Sequence, residues 1–289
     1  MAVSALSNPK LALLIGIEYL GTPNELLGCQ RDVDNMYNLL TGTLGFAPGN
    51  ITILTESSGR PPTQAAILSA LGELVTRSRT MNATQSVIYY SGHGSQLPDQ
   101  VQNGSDERDG MDEVLVPLDY KNGNIRDDVL LGYLNQFPFH CVCLGIWDSC
   151  NSGTVADLPY RFRYDPQTDT CIPVKNNQMK MVNNVVSISG SRDDQTSSVV
   201  YTGGEWNSAL TTAVIHILGS TREQITFHQL QKRLTDYMIA QQLHQRPVVC
   251  CSWQAQPGAL ILTERPFIRK DTINKETELA QAYEWAFIF

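Results

Sequence analysis

The chain has 289 residues, of which 42% are hydrophobic, and it carries a formal net charge of −8. That apolar content is enough for a full core and excludes an intrinsically disordered chain. The acidic balance disfavours nucleic acid as the main partner, because phosphate binding needs clustered Lys and Arg. Much of the imbalance is local: nine acids and three bases lie between Asp99 and Asp128.

The seven cysteines are an odd number and include no CxxC pair. This pattern favours a reducing, cytoplasmic compartment over a disulfide framework or a zinc site. The apolar segment at 10–17 lacks the basic start and the cleavage site of a signal peptide, so we interpret it as the first buried strand. No stretch has the length needed to span a bilayer, and no membrane association is expected.

Short apolar runs bounded by polar turns predict buried strands, and segments of helical period lie between them. This alternation predicts an α/β fold with a mostly parallel central sheet and helices on both faces. Ligand sites in such sheets open at the carboxyl ends of the strands. The predicted strands are 11–17, 51–54, 86–91, 140–146, 184–189, 248–253 and 259–262, and the predicted helices are 32–40, 63–77, 127–135, 207–218 and 226–242.

Two stretches interrupt the alternation of strand and helix. The first is an acidic loop at 97–112. The second, at 160–180, mixes four basic residues with Pro, Asn, Gln and Thr, which predicts an exposed connector. The terminal segment 264–289 ends in a hydrophobic cluster, and we expect it to pack on the body of the fold.

Two of the predicted strands end in residues that carry chemistry. One run ends in SGHG (91–94), and another ends in DSCNSG (148–153). If these strands are neighbours, His93 and Cys150 face each other, and an imidazole can take the proton of a thiol during nucleophilic attack. Main-chain N–H groups at Gly94 and Cys150 would then form an oxyanion hole.

Each of these two residues also has an ordinary structural interpretation. A lone cysteine is usually a buried thiol, and a histidine between glycines can be a turn residue. Their joint placement after two apolar strands favours the catalytic interpretation. The sequence contains no G-x-S-x-G motif, which would have indicated an α/β hydrolase.

Six segments together resemble the signatures of a type I metacaspase, a caspase-like cysteine peptidase of clan CD, family C14. The resemblance covers about residues 10 to 262, in the order of the family. The large-subunit signatures are YYSGHGSQ (89–96), DGMDEVLVPLDY (109–120), IRDD (125–128) and DSCNSGTVADLPY (148–160), and the small-subunit signatures are SISGSRDDQTS (187–197) and WNSALTTAVI (206–215).

The resemblance implies a cysteine endopeptidase with His93 and Cys150 as its dyad. It implies protein or peptide substrates that are cleaved after Arg or Lys, and a monomer. It also implies one caspase-like domain over 1–289. The parts of that domain are a large-subunit region at about 10–160, a connector at 161–180, a small-subunit region at 181–263 and the packed tail at 264–289.

The resemblance also implies a substrate pocket formed by Cys29, Asp32, Ser91 and Asp148. An acid-lined pocket favours a cationic side chain, and carboxylates bind Arg in a bidentate manner. Asp32 has a second interpretation as an acid at a helix start, where the helix dipole favours it.

Many members of the resembled family require calcium. The matching positions here are Asp112, Asp127, Asp128 and Asp157. Calcium takes six to eight oxygen ligands, so a few aspartates with carbonyls and water would suffice, and binding would order the acidic loop. The pattern is not an EF-hand, and a solvated acidic loop is the alternative interpretation.

The chain departs from the family pattern in two places. Asn151 follows the candidate nucleophile where relatives usually have His, and the Pro/Gln-rich N-terminal extension is missing, so we expect no regulation through such a segment. If the cysteine is inactive, the alternative function is a catalytically weak caspase-like scaffold or regulator. The candidate self-cleavage sites for an Arg/Lys-specific enzyme are Arg161, Arg163, Lys175 and Lys180.

Overall fold

A computed structural model describes residues 9–98, 111–150, 156, 158–175, 183–190, 199–202, 205–222 and 224–262. The strands are β1 (Lys10–Gly16), β2 (Ile51–Leu54), β3 (Gln85–Ser91), β4 (Gly94–Pro98), β5 (Met111–Leu115), β6 (Ile125–Arg126), β7 (Val142–Asp148), β8 (Tyr160–Asp165), β9 (Thr170–Lys175), β10 (Val185–Ser189), β11 (Val199–Thr202), β12 (Glu205–Ser208) and β13 (Val248–Cys251). The helices are α1 (Cys29–Gly42), α2 (Gln64–Thr80), α3 (Asp127–Leu134), α4 (Ala209–Thr221) and α5 (Phe227–Ala240).

Eight strands form the central sheet, in the order β2-β1-β3-β7-β10-β13-β8-β9. The first five are mutually parallel, and β13, β8 and β9 then add in antiparallel fashion. The predicted α/β class with a mostly parallel sheet is therefore confirmed. The carboxyl ends of the five parallel strands lie along one edge, where a site is expected.

The central strands are buried on both faces because helices cover both. In β1, Ala12 and Leu14 pack into a core with residues of α1, α4 and α5, whereas Leu11 and Leu13 pack into a second core with residues of α2 and α3. This is why the strands appear in the sequence as continuous apolar runs. At Gly16, a Cβ atom would lie 2.7 Å from Val33 Cγ2, so only glycine allows α1 to pack this close to β1.

All five predicted helices are present, with ends that shift by a few residues. Local capping explains two of the starts. The Thr63 side chain accepts a hydrogen bond from the Ala66 N–H at the start of α2. At α5, Thr226 and Gln229 form a reciprocal capping box, which satisfies two N–H groups that would otherwise lack a partner.

The interpretation of 160–180 as an exposed connector is wrong for 160–175, which forms the β8–β9 hairpin and extends the central sheet. The alternation in this segment was the missed signal. Tyr160 and Phe162 belong to the apolar set of the strand, and the Phe162 ring stacks on Phe227 at 4.5 Å between centroids. The intervening arginines made a half-buried strand look like a polar loop.

The predicted strand at 259–262 is also wrong. Its one pairing is an isolated bridge between Thr226 and Leu260. Ile261 is nevertheless fully buried, because the segment packs against the core without joining the sheet. The apolar run indicated burial correctly, but four residues were too few to indicate the secondary structure.

The two ends of the predicted acidic loop at 97–112 are strands. They belong to β4 and β5, which form a small antiparallel sheet with β6. Residues 99–110, between these strands, lie outside the described residues, as does the terminal segment predicted to pack on the fold. Across the ranges that the structure covers, no helix is both long enough and apolar enough to cross a bilayer.

Candidate active site

The two strands that carry the candidate dyad are neighbours in the sheet. β3 and β7 pair in parallel, and the last residues of that pairing are Ser91 and Asp148. One step further, the Gly92 N–H donates to the Asp148 carbonyl at 3.3 Å. His93 and Cys150 each follow the last pair by two residues, so both lie at the carboxyl edge of the sheet on adjacent chains.

Gly94 marks how closely these two chains approach each other. A Cβ atom at this position would lie only 2.2 Å from the main-chain oxygen of Cys150. Real Cβ atoms do not approach backbone oxygen so closely, and a side chain here would force the two loops apart. The glycine after His93 is therefore required by the packing of the two strand ends.

The imidazole of His93 is held by residues of the loop that follows β1. Its Nε2 lies 2.8 Å from the main-chain oxygen of Asn24, and its ring packs on the Tyr19 ring at 4.8 Å between centroids. Because a carbonyl oxygen can only accept, this contact assigns the proton to Nε2. In the neutral imidazole, Nδ1 then carries the lone pair, which is the form that a general base needs.

A buried tyrosine pair fixes the main chain of His93. Its N–H donates to the Tyr19 hydroxyl at 3.0 Å, and its carbonyl oxygen accepts from the Tyr90 hydroxyl at 2.8 Å. Burial raises the pKa of both tyrosines, so both stay neutral donors. Tyr19 and Asn24 were missed from the sequence, because they lie about 70 residues before the histidine they hold and form no motif with it.

Cys150 differs from the other cysteines in its exposure. It is half-buried, the other six are buried, and none of the seven forms a disulfide. Burial raises the pKa of Cys29 to about 12, which keeps that thiol protonated and unreactive. Asn151, which follows Cys150, lies outside the described residues.

The four predicted pocket residues lie together beneath this edge, and all are buried. The Ser91 hydroxyl donates to Asp32 Oδ2 at 3.4 Å. The charge of Asp148 raises the pKa of Asp32, and the charges of both acids raise the pKa of Cys29. The exposed fractions are 6% for Cys29, 2% for Asp32, 2% for Ser91 and 4% for Asp148.

The start of α4 supplies hydrogen bonds to both carboxylates. The Ser208 N–H lies 3.3 Å from Asp32 Oδ1, and the Thr211 N–H lies 3.2 Å from Asp148 Oδ2. The Thr211 hydroxyl also donates to Asp148. The N-terminal N–H groups and dipole of a helix favour negative charge, so α4 stabilises this acid pair. Ser208 and Thr211 were not predicted as site residues.

Neither acid has an ion-pair partner among the described residues, and the charge of Arg31 offsets only part of the effect of burial on Asp32. Burial, followed by the charge of Asp148, raises the pKa of Asp32 to about 8, and burial also raises the pKa of Asp148. Among the described residues, no Lys or Arg lies within ion-pair distance of either carboxylate. The site is therefore a buried pair of acids, and a cation brought close to it would favour their ionised forms and lower both pKa values.

We expect Asp32→Asn to stabilise the fold at alkaline pH. The native state keeps a proton on Asp32 up to a pKa of about 8, whereas the unfolded chain loses it near 4. The free energy of unfolding therefore falls as the pH rises between these two values. Asparagine carries no charge to bury, so thermal unfolding at pH 9 should show a variant more stable by up to about 5 kcal/mol, with no difference at pH 4.

Asp34→Asn is the matched control, because Asp34 is exposed on the same helix. It should leave the melting temperature unchanged at both pH values. A loss of stability in Asp32→Asn at pH 9 would show that its carboxylate is a structural cap and is not a strained pocket acid.

The family comparison agrees with these motifs. The family model "Metacaspase, peptidase C14 domain" matches residues 10–159. The chain belongs to the metacaspase family. The predicted resemblance and the caspase-like α/β class are thereby confirmed, and the enzyme class predicted for the chain is that of its family.

Curated metacaspases are similar over much of the chain. Metacaspase-1 of Debaryomyces hansenii is 31% identical over 291 residues, which is 84% of this chain and 64% of that protein. Metacaspase III c of Phaeodactylum tricornutum is 41% identical over 168 residues, covering 56% and 48% of the two chains. The chain thus spans about two thirds of the first relative and about half of the second.

A solved structure supports the fold. The crystal structure of protein GSU0716 from Geobacter sulfurreducens aligns with a TM-score of 0.59 at 23% identity, covering 89% of this chain and all of that one. At this identity, the likeness concerns the arrangement of strands and helices only.

The predicted metal ligands of this metacaspase are only partly brought together. Asp112 and Asp127 are buried at the corner between β5 and α3, and Asp128 is exposed. Asp112 forms an ion pair with Arg126, and Asp127 accepts N–H bonds from Glu113 and Asp128, each at 2.8 Å. Asp157 lies outside the described residues. Within the part of the chain that is described, no three His, Cys, Asp or Glu side chains form a metal cluster.

The predicted self-cleavage sites do not share one environment. Arg161 and Arg163 lie in β8, which pairs with β13 on one side and β9 on the other, so cleavage there would require β8 to leave the sheet. This argues against both sites, because a protease binds an extended segment that is not already paired. Lys175 ends β9, and Lys180 lies outside the described residues.

Proposed function

We propose that this metacaspase is a cysteine endopeptidase that cleaves after Arg or Lys, with Cys150 as nucleophile and His93 as general base. The observation that carries the proposal is the adjacency of the two strand ends at the carboxyl edge of the sheet, above a buried acid pair. The half-exposed Cys150 suits a nucleophile better than the six buried cysteines.

The proposed reaction begins when His93 Nδ1 takes the Cys150 proton and the sulfur attacks the substrate carbonyl carbon. Main-chain N–H groups at Gly94 and Cys150 stabilise the negative charge on the carbonyl oxygen. The C–N bond then breaks, the imidazolium gives its proton to the leaving amine, and an acyl-enzyme remains. Water, deprotonated by His93, hydrolyses the thioester and restores the thiol.

The specificity proposal depends on the charge of the pocket. Asp32 and Asp148 lie together in the protein interior. Burial raises both pKa values, the charge of Asp148 raises that of Asp32 further, and no described cation lies within ion-pair distance as a countercharge. A guanidinium or ammonium group in this space would supply that countercharge and lower both pKa values. An acidic or apolar substrate side chain would leave the pair uncompensated.

The direct test is hydrolysis of fluorogenic peptides that end in Arg, Lys or Asp. We expect release from the Arg and Lys peptides and none from the Asp peptide. Preference for the Asp peptide would contradict the pocket assignment. No release from any peptide, with or without calcium, would contradict the peptidase and favour the scaffold interpretation.

We also propose that calcium binds at the corner between β5 and α3. The donor chemistry fits, because carboxylate oxygens are the ligands that calcium prefers. Asp112, Asp127, Asp128 and Asp157 would hold the ion beside β4, the strand that follows His93. Arg126 now pairs with Asp112, so it competes with a cation for that carboxylate.

Removing this competitor should strengthen calcium binding. By calorimetry, Arg126→Gln should tighten the Kd by about three- to tenfold, the equivalent of losing one partly buried ion pair. Asp127→Asn should weaken it. Arg60→Gln is the control, because Arg60 pairs with Glu73 on the exposed surface of α2. Calcium binding that is absent from the wild type, or equal in all variants, would contradict the proposed site.

We also propose that the protein is a monomer and that its substrates are proteins. In the described central sheet, β9 forms one outer edge, beyond β13 and β8, and β2 forms the other. Size-exclusion chromatography with light scattering tests the monomer, whose expected mass is 32.1 kDa.

A further inference from the structure

A basic cleft lies near the same edge of the sheet as the candidate dyad. It has a volume of about 420 Å³ and lies between β8, the second half of α5 and the segment 243–248. Its lining includes Arg161, Arg163, His244 and Arg246, and contains no Asp or Glu. In a chain with a net charge of −8, such a lining is a local reversal of charge.

The cleft and the acid pocket are linked through one side chain. Gln245 lines the cleft, and its Nε2 lies 2.8 Å from where a Cβ atom of Gly190 would stand. Asp148 Oδ1 lies 3.7 Å from that same point. Gly190 directly follows β10, so the cleft borders the pocket at the carboxyl end of this strand.

We propose that the cleft is a second substrate subsite, which binds an acidic side chain about four residues along the chain from the cleaved bond. β7 carries Asp148 and β8 carries the arginines, and three strand spacings of ~4.8 Å separate them, or ~14 Å. An extended peptide advances ~3.3 Å per residue, so about four residues bridge this distance.

The two arginines of β8 line the cleft from the face of the strand opposite Phe162 and Tyr164, whose rings contact α5. Arg163 is exposed and Arg161 is half-buried, and neither has a carboxylate within ion-pair distance among the described residues. A subsite also explains Arg161 and Arg163 better than self-cleavage does, since β8 is paired on both sides. A substrate carboxylate would be attracted to these guanidinium groups.

This inference rests on the proposed peptidase function, and its test separates the two. Internally quenched peptides with one central Arg carry Glu either four residues before or four residues after it, and matched peptides carry Gln. Cleavage of the Gln peptides by the wild type reports the peptidase alone. At one of the two positions, we expect Glu to raise kcat/KM by roughly five- to tenfold over Gln, and tenfold more salt should reduce this gain.

Arg163→Gln and the double variant with Arg161→Gln should remove the preference for Glu and leave the rate on the Gln peptides unchanged. The exposed Arg79→Gln, on α2, should retain the preference. The single variant alters only an exposed side chain, so it remains a valid test if the double variant fails to fold. Equal rates on the Glu and Gln peptides at both positions, or a preference that survives in Arg163→Gln, would overturn the subsite.

Discussion

Replacing Cys150 with alanine should reduce cleavage of an Arg peptide by at least about 10³-fold, to the background of the assay. The loss follows because the other six cysteines are buried, and burial raises the pKa of Cys29, the one in the pocket, to about 12. His93→Gln should cost about 10²- to 10⁴-fold, since glutamine cannot take the thiol proton. The measurement is kcat/KM on the same fluorogenic peptide.

Cys171→Ala is the control for removal of a thiol, because Cys171 lies in β9 at the far end of the sheet. It should keep full activity. Circular dichroism should show the same fold for all three variants. Activity retained in Cys150→Ala would contradict the assignment of the nucleophile, and activity lost equally in Cys171→Ala would indicate a general structural cause.

Asp148→Asn should change which substrate is cleaved more than whether cleavage occurs. Asp148 is one of the two acids that would meet a substrate Arg, and removing one partner of a buried charge pair typically costs about 10²- to 10³-fold in binding. We therefore expect kcat/KM for an Arg peptide to fall by about that factor. A peptide with citrulline, the neutral isostere of Arg, should be cleaved at nearly the same rate by wild type and variant.

The ratio of the two substrates makes this prediction specific. Asparagine can still accept the hydrogen bonds from Thr211, so α4 should stay in place. Asp236→Asn, on the exposed side of α5, is the matched control and should leave the ratio unchanged. A loss of equal size on the Arg and citrulline peptides would show that Asp148 supports the architecture and does not select the charge.

The sequence predicted the centre of the fold well because burial there is nearly complete. β1, β3 and β7 carry apolar residues on both faces, so each appears as an unbroken apolar run, and the strand ends place SGHG and DSC beside each other. The periphery was harder. At β8, alternating Arg and aromatic residues resembled a polar connector, and at 259–262 a buried segment resembled a strand.

The side chains that hold the candidate site were not predictable by the same means. Tyr19 and Asn24 reach His93 across about 70 residues, and Ser208 reaches Asp32 across 176. These contacts arise from the packing of α1, α4 and the loop after β1 around the sheet edge. No local period or spacing encodes them, so only the three-dimensional structure could supply them.

The account depends most on the identity of the nucleophile among the seven cysteines. The most direct measurement is labelling with an arginyl chloromethyl ketone, followed by peptide mapping with mass spectrometry. We predict one equivalent of label on Cys150, with labelling lost when His93 is replaced by Gln and blocked by excess Arg peptide. A label on Cys29 or any other cysteine in an active preparation, or full activity after complete labelling of Cys150, would contradict the account.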